Sequence, residues 1–582
     1  MDLTEEQLDI IQSDTDLKVN AVAGSGKTST LMAYAEQRPK KRILYLVFNR
    51  SVKEEARQKF QSKGLHNVRV ETAHSLAYSA IVRNRPIEVN HQGYSTYEVR
   101  ELLQLSMGDL ILEMKIANQV LKMASCFCNG SERLLKDCDY LTYLPYGEER
   151  TFAEEYFDLI HQQTRSYLGM MHRAQKPITH EFYLKQYQLS NPQLDYDIIL
   201  FDEGQDASGV MLDVFVNQKA RKVIVGDQNQ QIYSWRYAIN ALLELDFQEK
   251  MLTSSFRFPQ DIADRANEVL ARKELLGFPP FASIKGLGEV QVKTQASKAT
   301  LGRTNAGLLI RSIDLLLEEE EIKTLYFEGN FDSYTYADEN GSIWDILNLH
   351  LGKKQMIRNK LIKGMSNMDK LKKYAEDTND SPLKGLIEVV LKYEKDLPYI
   401  IKSIKNAQVD PDEKESADMI FSTIHKAKGM EYDEVSLVND FMTEERLQET
   451  IEATDKRELD TTRLSEEVNL LYVGVTRTRH LLDMPNELLP VDQRESESAP
   501  EIEDFRSFTR ETTPKPKTEK AYSVEAKRQS NKNAYKKWTS EEDQELQERL
   551  ASGESPKVIA DRMGRNKGAI YSRIKKLGIW ED

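Results

Sequence analysis

Cysteine is scarce in this chain: three residues, Cys126, Cys128 and Cys138, among 582. So few exclude a disulfide framework, and no fourth ligand stands at a spacing that would close a zinc site around them. They read as reduced thiols of a cytoplasmic protein, nucleoid-associated if the source is bacterial. No apolar run approaches the ~20 residues of a membrane span. The opening M-D-L-T-E-E-Q has neither the basic flank nor the apolar centre of a signal peptide, so no membrane partner is expected. Excess positive charge is missing too, the formal net charge being −14. The deficit is uneven: residues 511–582 hold 16 Lys and Arg against 12 Asp and Glu, which is +4, and leave −18 on the rest. An acidic body cannot coat nucleic acid, yet a groove for one strand needs only a local basic and aromatic lining. What the chain does have is length. At 582 residues it exceeds the ~250–300 at which single cores stop growing, so it is multi-domain.

The organising stretch is Leu17 to Thr30, L-K-V-N-A-V-A-G-S-G-K-T-S-T. An apolar run feeds a Gly-rich turn and then a helix-forming sequence, which is the plan strand, phosphate loop, helix. Its glycines let the backbone fold tightly, so that N–H groups along Ala23, Gly24, Ser25, Gly26, Lys27, Thr28 and Ser29 can face phosphate oxygens near a helix N-terminus. Lys27 would reach the outer phosphates and the Thr28 hydroxyl would bind Mg²⁺, so ATP or GTP with Mg²⁺ is expected. Ala21 stands where the general pattern has its first glycine. Upstream, Thr4 caps a helix one turn before Gln7, whose two-faced amide can read an adenine edge.

Further strands follow. Ile43 to Phe48 is a continuous apolar run, as a buried parallel strand requires. Val68 to Thr72 ends in Ala73-His74-Ser75, and His74 lies where open α/β sheets place ligands, just past a strand's carboxyl end. Residues 76–170 are helical in pattern, carry the cysteines, and read as an insertion. The sheet resumes at Asp197 to Phe201, which delivers Asp202-Glu203-Gly204-Gln205-Asp206. Asp202 would hold Mg²⁺ through water, and Glu203 would orient and deprotonate the attacking water. Lys222 to Val225 leads into G-D-Q-N-Q-Q-I-Y-S-W-R at 226–236. There Gln230 can sense a γ-phosphate, while Tyr233, Trp235 and Arg236 offer two aromatic faces and a cation to unpaired bases.

In this order the motifs resemble those of superfamily 1 helicases of the UvrD/Rep type. The second half agrees: L-T-S-S-F-R-F at 252–258, R-T-N at 303–305, E-G-N at 328–330, T-I-H-K-A-K-G-M-E at 423–431 and Y-V-G-V-T-R-T-R at 472–479. The chain departs from the family pattern at Gly204, at Gln228-Asn229 and at Met430. The resemblance implies two RecA-like lobes with ATP in the cleft between them. It makes Arg257 and Arg477 arginine fingers, brings Glu431 to the nucleotide and His425 to the DNA strand, and carries 3′ to 5′ movement. Within the family the chain is similar to the helicase core of the eukaryotic F-box DNA helicases, on L-Y-L-V-F-N-R-S-V-K at 44–53, I-T-H-E-F-Y-L-K-Q-Y-Q-L at 178–189 and S-F-R-F at 255–258. As the chain begins at that core, an N-terminal F-box and a ubiquitin-ligase role are not expected.

The fold class expected is α/β: two RecA-like P-loop lobes with parallel sheets, a helical insertion in each, and a small C-terminal three-helix domain. The first lobe takes 1–75 and 171–255 around the insertion 76–170, and the second takes 256–330 and 415–487 around the insertion 331–414. Residues 488–536, rich in Glu, Ser, Pro and Lys, read as a flexible linker. Within 537–582 three short helices are expected, the third spanning Lys567 to Leu577 and bearing Arg573, which is the helix-turn-helix plan and resembles Myb-like or homeodomain-like DNA-binding tails. Together these readings make an ATP-dependent DNA helicase or translocase acting on single-stranded and tailed duplex DNA, with protein partners possible through the tail. Two alternatives stay open: an RNA-directed helicase, and a DNA-bound nucleotide switch that recruits or displaces proteins without unwinding.

Overall fold

The computed structural model describes residues 3–491 except 291–295, 319–321, 338–340 and 379, together with 493 and, in the tail, 539–551, 554, 556–563, 565, 570 and 573. Six strands form the first sheet: β1 (Leu17–Ala21), β2 (Ile43–Val47), β3 (Val68–Thr72), β4 (Ile198–Phe201), β5 (Arg221–Gly226) and β6 (Gln248–Leu252). All are parallel, in the order β3-β2-β4-β5-β1-β6. Parallel pairing needs crossovers, supplied here by Lys27–Glu36 between β1 and β2 and Arg50–Ser62 between β2 and β3. Helices on both faces bury the central strands twice over, which explains why β2 and β4 are apolar throughout, whereas the edge strands β3 and β6 are only partly buried. Alternate residues of β2 serve opposite cores: Ile43, Tyr45 and Val47 join Leu31, Tyr34 and Phe60, while Leu44 and Leu46 join Ile199, Phe201 and Phe215. Because β1, β5 and β4 are neighbours, the loops leaving their carboxyl ends lie side by side.

Between β3 and β4 the chain leaves the sheet for a helical body, which includes Leu110–Asn129, Phe157–His172 and His180–Leu189. This body has its own core, and all three cysteines lie in it, buried and free. A two-residue pair, β7 (Ser254–Ser255) with β8 (Lys285–Gly286), follows the first sheet.

The second sheet has five parallel strands: β9 (Lys298–Gly302), β10 (Leu325–Phe327), β11 (Met419–Thr423), β12 (Tyr432–Leu437) and β13 (Thr478–Asp483), in the order β10-β11-β9-β12-β13. Helices inserted between β10 and β11, among them Ile343–His350, Met368–Asp377, Ser381–Tyr393 and Leu397–Asn406, share one core with Leu325, Phe327 and Phe421. The opposite core holds Leu301, Val435, Leu470 and Val473, and it also takes in Val22, Ala23 and Ile232 from the first lobe. The α/β class with parallel sheets and many helices is the one expected.

The tail is a separate compact unit, 500–582. Its described helices are Ser540–Ala551 and Pro556–Met563, joined by a small core of Leu546, Ile559, Ala560, Met563 and Ile570. Thr539 caps the first helix, exchanging backbone-to-side-chain bonds with Glu542. Trp538, just before the capping Thr539, and all but Ile570 and Arg573 of the expected third helix lie outside the described residues, as do 492 and 494–536 of the expected linker. Among the described residues no helix is long and apolar enough to cross a membrane.

Candidate nucleotide and strand-binding site

The loop after β1 is shaped by two left-handed residues, Gly24 at φ +73° and Gly26 at φ +79°. A side chain at Gly24 would strike Arg257 Cβ and Ser255 Oγ, each 2.6 Å from an added Cβ, so the glycine permits the second-lobe segment to lie directly on the loop. The Phe256 amide donates to the Gly24 carbonyl at 2.9 Å. Lys27 opens the next helix, whose first N–H groups have no intrahelical acceptor. Ser25 is buried and its hydroxyl has no hydrogen-bond partner. Unpaired donors around a cradle that a Cβ would fill are what a phosphate chain needs, so these residues fit ATP. Gln7, fixed by the capping box with Thr4, is buried against this loop and its side-chain amide donates to the Ser25 carbonyl at 3.4 Å.

Across the loop stands the acidic pair. Asp202 is buried, and the Tyr45 hydroxyl donates to its Oδ2 at 2.5 Å. Thr28 meets the same hydroxyl, so the Thr28 and Asp202 oxygens converge on one point. Among the described residues no three His, Cys, Asp or Glu cluster around a metal position, but Mg²⁺ held by one hydroxyl, one carboxylate, water and phosphate oxygens needs no such cluster. Burial and the adjoining Glu203 push the Asp202 carboxyl up to about 6, with Lys27 opposing. Glu203 is held in the left-handed region, φ +57°, a conformation that costs a non-glycine residue energy and that gathers at functional sites. Its carboxylate lies 3.6 Å from Lys27 Nζ. Against the upward push of burial, Lys27 and Lys428 hold it down to about 2.

The arginines come from the second lobe. Arg477, 2% exposed, donates to the carbonyls of Val473 and Met430 and, at 3.4 Å, to Gln230 Oε1 on the first. Burial, with Arg257 alongside, lowers its pKa to about 10. Arg257 donates to the Thr476 carbonyl at 2.7 Å and pairs with Glu431 at 2.5 Å, and Glu431 also meets Arg479 at 3.0 Å. Two guanidiniums thus sit together beside the phosphate loop, with Glu431 as a shared counter-charge.

Residues that sequence reasoning passed over complete the cleft. Gln205 donates to Glu203 and accepts from the Asp227 amide, tying the acidic loop to the 226–236 segment. Lys428 reaches across from the second lobe to Asp206 at 2.5 Å and to the Gln230 carbonyl at 2.6 Å. Both members of this pair are deeply buried, and burial pushes Asp206 up to about 6 with Lys428 opposing. Lys428→Met would leave that carboxylate uncompensated and is expected to cost about 3–5 kcal/mol in urea denaturation; an unchanged midpoint would show the pair to be dispensable. The departure at Gly204 has a packing reason: a Cβ there would sit 2.5 Å from Ile224.

Continuing from Gln230, Tyr233 stacks on Phe48 with ring centroids 5.7 Å apart and donates to the His425 carbonyl. Trp235 is 60% exposed, meets His425 edge-on at 6.3 Å, and lies 4.5 Å beneath the Arg236 guanidinium. His425 itself is bonded to the Ile232 carbonyl, and burial lowers its pKa to about 4, so it is neutral at pH 7. His74 is placed elsewhere: it lies edge-on to Tyr183 of the helical body, and burial likewise brings it to about 4. Arg573 lies in the tail, where its guanidinium makes a two-point pair with Asp543.

Comparison with known proteins matches residues 3–250 to the UvrD/REP helicase N-terminal domain and residues 151–485 to the UvrD-like helicase C-terminal domain. The chain is 29% identical over 518 residues to F-box DNA helicase 1 of Gallus gallus, covering 84% of this chain and 49% of the relative. It is 27% identical over 521 residues to F-box DNA helicase protein 1 of Schizosaccharomyces pombe, covering 82% and 57%. It is also 26% identical over 301 residues to the ATP-dependent DNA helicase PcrA of Leuconostoc citreum, covering 46% and 39%. The chain spans about half the length of the two F-box relatives. The matched domains fall on the two sheets and the cleft between them: the chain belongs to the UvrD/Rep helicase family.

Proposed function

We propose that this chain is an ATP-dependent DNA translocase that moves 3′ to 5′ on single-stranded DNA and spends ATP on separating duplex DNA or displacing bound proteins, in DNA repair or recombination. In this reading the first RecA-like lobe is 1–75 with 171–255 and the second is 256–330 with 415–487. The insertions are 76–170 and 331–414, and 488–536 tethers a DNA- or protein-binding tail at 537–582. Gln7 reads adenine, and the 23–29 loop holds the phosphates. Bound Mg²⁺, held by Thr28 and Asp202, supplies charge neutralisation between the phosphates. Glu203 orients water and takes its proton, Gln230 senses the γ-phosphate, and Arg257 and Arg477 stabilise charge on the transferring group.

The Lys27–Glu203 contact supports an order of events. A carboxyl held near 2 is a poor base. When Lys27 turns to the phosphates, its hold on Glu203 loosens while that of Lys428 remains, and the carboxylate becomes a stronger base once substrate is in place. Tyr233, Trp235, Arg236 and the neutral ring of His425 form the strand path, with Phe48 backing Tyr233.

The observation that carries this reading is continuity. The same 226–236 segment that meets Arg477 at Gln230 goes on to the exposed Trp235. Trp235→Ala is expected to weaken single-strand affinity by about 1–3 kcal/mol, one lost base stack, measured by anisotropy with labelled oligothymidylate. The polarity is tested with duplexes carrying a 3′ or a 5′ single-stranded tail: unwinding of the 3′-tailed substrate supports the proposal. Preference for the 5′ tail contradicts the direction, and hydrolysis without unwinding of either contradicts strand separation.

A further inference from the structure

One helix of the second lobe, Thr461–Val475, runs beside the 227–234 segment and bonds to it repeatedly. Just past the helix, Arg477 donates to Gln230 Oε1 at 3.4 Å, and within it the Tyr472 hydroxyl donates to Asp227 Oδ2 at 2.9 Å. One turn back, the Asn469 side-chain amide donates to the Gln231 carbonyl at 2.8 Å. One turn further, Glu466 accepts from the Ser234 amide at 3.1 Å and from the Ser234 hydroxyl. Residues 466, 469 and 472 are three apart and so share a helix face. Ser234 opens the 3₁₀ turn Ser234–Arg236, which carries Trp235 and Arg236.

We infer that Glu466 is a positioning residue: it holds the Trp235 turn to the second lobe, so that lobe movement registered by Arg477 at Gln230 reaches the strand-contacting tryptophan along a single rigid helix. Two features single Glu466 out. It stands beside a second carboxylate, Glu467, which has its own two-point partner in Arg303 at 2.8 and 3.0 Å; Glu466 instead directs both oxygens across the lobe boundary to one serine. A carboxylate accepting from an amide and a hydroxyl forms charge-assisted bonds, roughly twice as strong as neutral ones, and these bonds cap the turn. Burial nonetheless pushes its carboxyl up to about 7, Glu467 adding to the rise and the Ser234 amide, Arg303 and Arg463 opposing it.

The inference rests on the proposal that Trp235 stacks on bases, and its test separates the two. Steady-state ATP hydrolysis of the full chain is measured with and without oligothymidylate for wild type, Glu466→Ala, Glu466→Gln and Ser234→Ala. The expected result is a DNA-free kcat and an ATP KM within about twofold of wild type in all three variants, and a fold-stimulation by DNA cut roughly tenfold in Glu466→Ala. Glu466→Gln, which keeps an acceptor, should recover part of it, and Ser234→Ala, which loses one bond of two, should fall between. The Ser234→Ala Glu466→Ala double variant should be no worse than Glu466→Ala alone. Wild-type stimulation in Glu466→Ala overturns the inference, as does a DNA-free rate that falls in step with the stimulated one, which would mark a merely structural residue. Wild type that is not stimulated by DNA at all overturns the strand-motor proposal, and the inference with it.

Discussion

Removing the Arg477 side chain is expected to slow ATP hydrolysis by about 10³–10⁵-fold, the range of an arginine finger, while ATP affinity changes far less. The reason is geometric. Arg477 comes from the second lobe and ends at Gln230 of the first, so its charge is available to the transferring phosphoryl group only when the lobes are together. Arg477 is also structural, because its Nε and Nη1 donate to the carbonyls of Val473 and Met430. Arg477→Ala would leave those acceptors short of a donor and lower stability by about 1–3 kcal/mol. Arg477→Lys is therefore the cleaner variant: it keeps a charge at the site but not the planar fork. It should show most of the rate loss with a nearly unchanged thermal midpoint. A Lys variant with the wild-type single-turnover rate would remove Arg477 from the chemistry.

Glu203→Gln should cost about 10²–10⁴ in kcat, the usual contribution of a general base, without loss of nucleotide or DNA binding. The amide is isosteric and can still meet Gln205, so the strained backbone at φ +57° is expected to persist. Lys27 loses its 3.6 Å partner in this variant, which frees it for phosphate, so ATP should bind at least as tightly as in wild type. The measurement is single-turnover hydrolysis beside equilibrium binding of a fluorescent ATP analogue. Slow hydrolysis with weakened binding would mean that Glu203 organises the pocket rather than acting on water.

Much of this cleft was legible because its chemistry is local in the chain. Strand, loop and helix around Lys27 are contiguous, and so are the apolar strand β4 and its Asp202-Glu203 end. Parallel pairing with β5 and β1 adjacent then brings the loops together, as an open α/β sheet must. The illegible parts are those that only folding brings near. Tyr45 lies within an apolar strand, 157 residues from the Asp202 it bonds, and nothing around it marks a polar role. Lys428 was visible as part of a motif, but its buried pairing with Asp206 spans 222 residues. For His74 and His425 the sequence left the ring's charge and direction open. Both stand at strand ends, where ligands gather, yet burial leaves both neutral, and His74 is turned towards Tyr183. A position at a strand end does not decide which way a ring points. In the tail, Arg573 was read as part of a basic third helix, and its guanidinium pairs with Asp543, while Arg565 pairs with Glu542; the acidic first helix that supplies these partners is distant in sequence but not in space.

The central claim is that one cleft couples ATP hydrolysis to a bound single strand. The most direct measurement is the ATPase rate of wild type and Lys27→Ala with and without oligothymidylate, beside unwinding of a 3′-tailed duplex. The expected result is DNA-stimulated hydrolysis and unwinding in wild type, both lost in Lys27→Ala while the variant keeps its fold by circular dichroism. Hydrolysis indifferent to DNA, or unwinding that survives in Lys27→Ala, would contradict it.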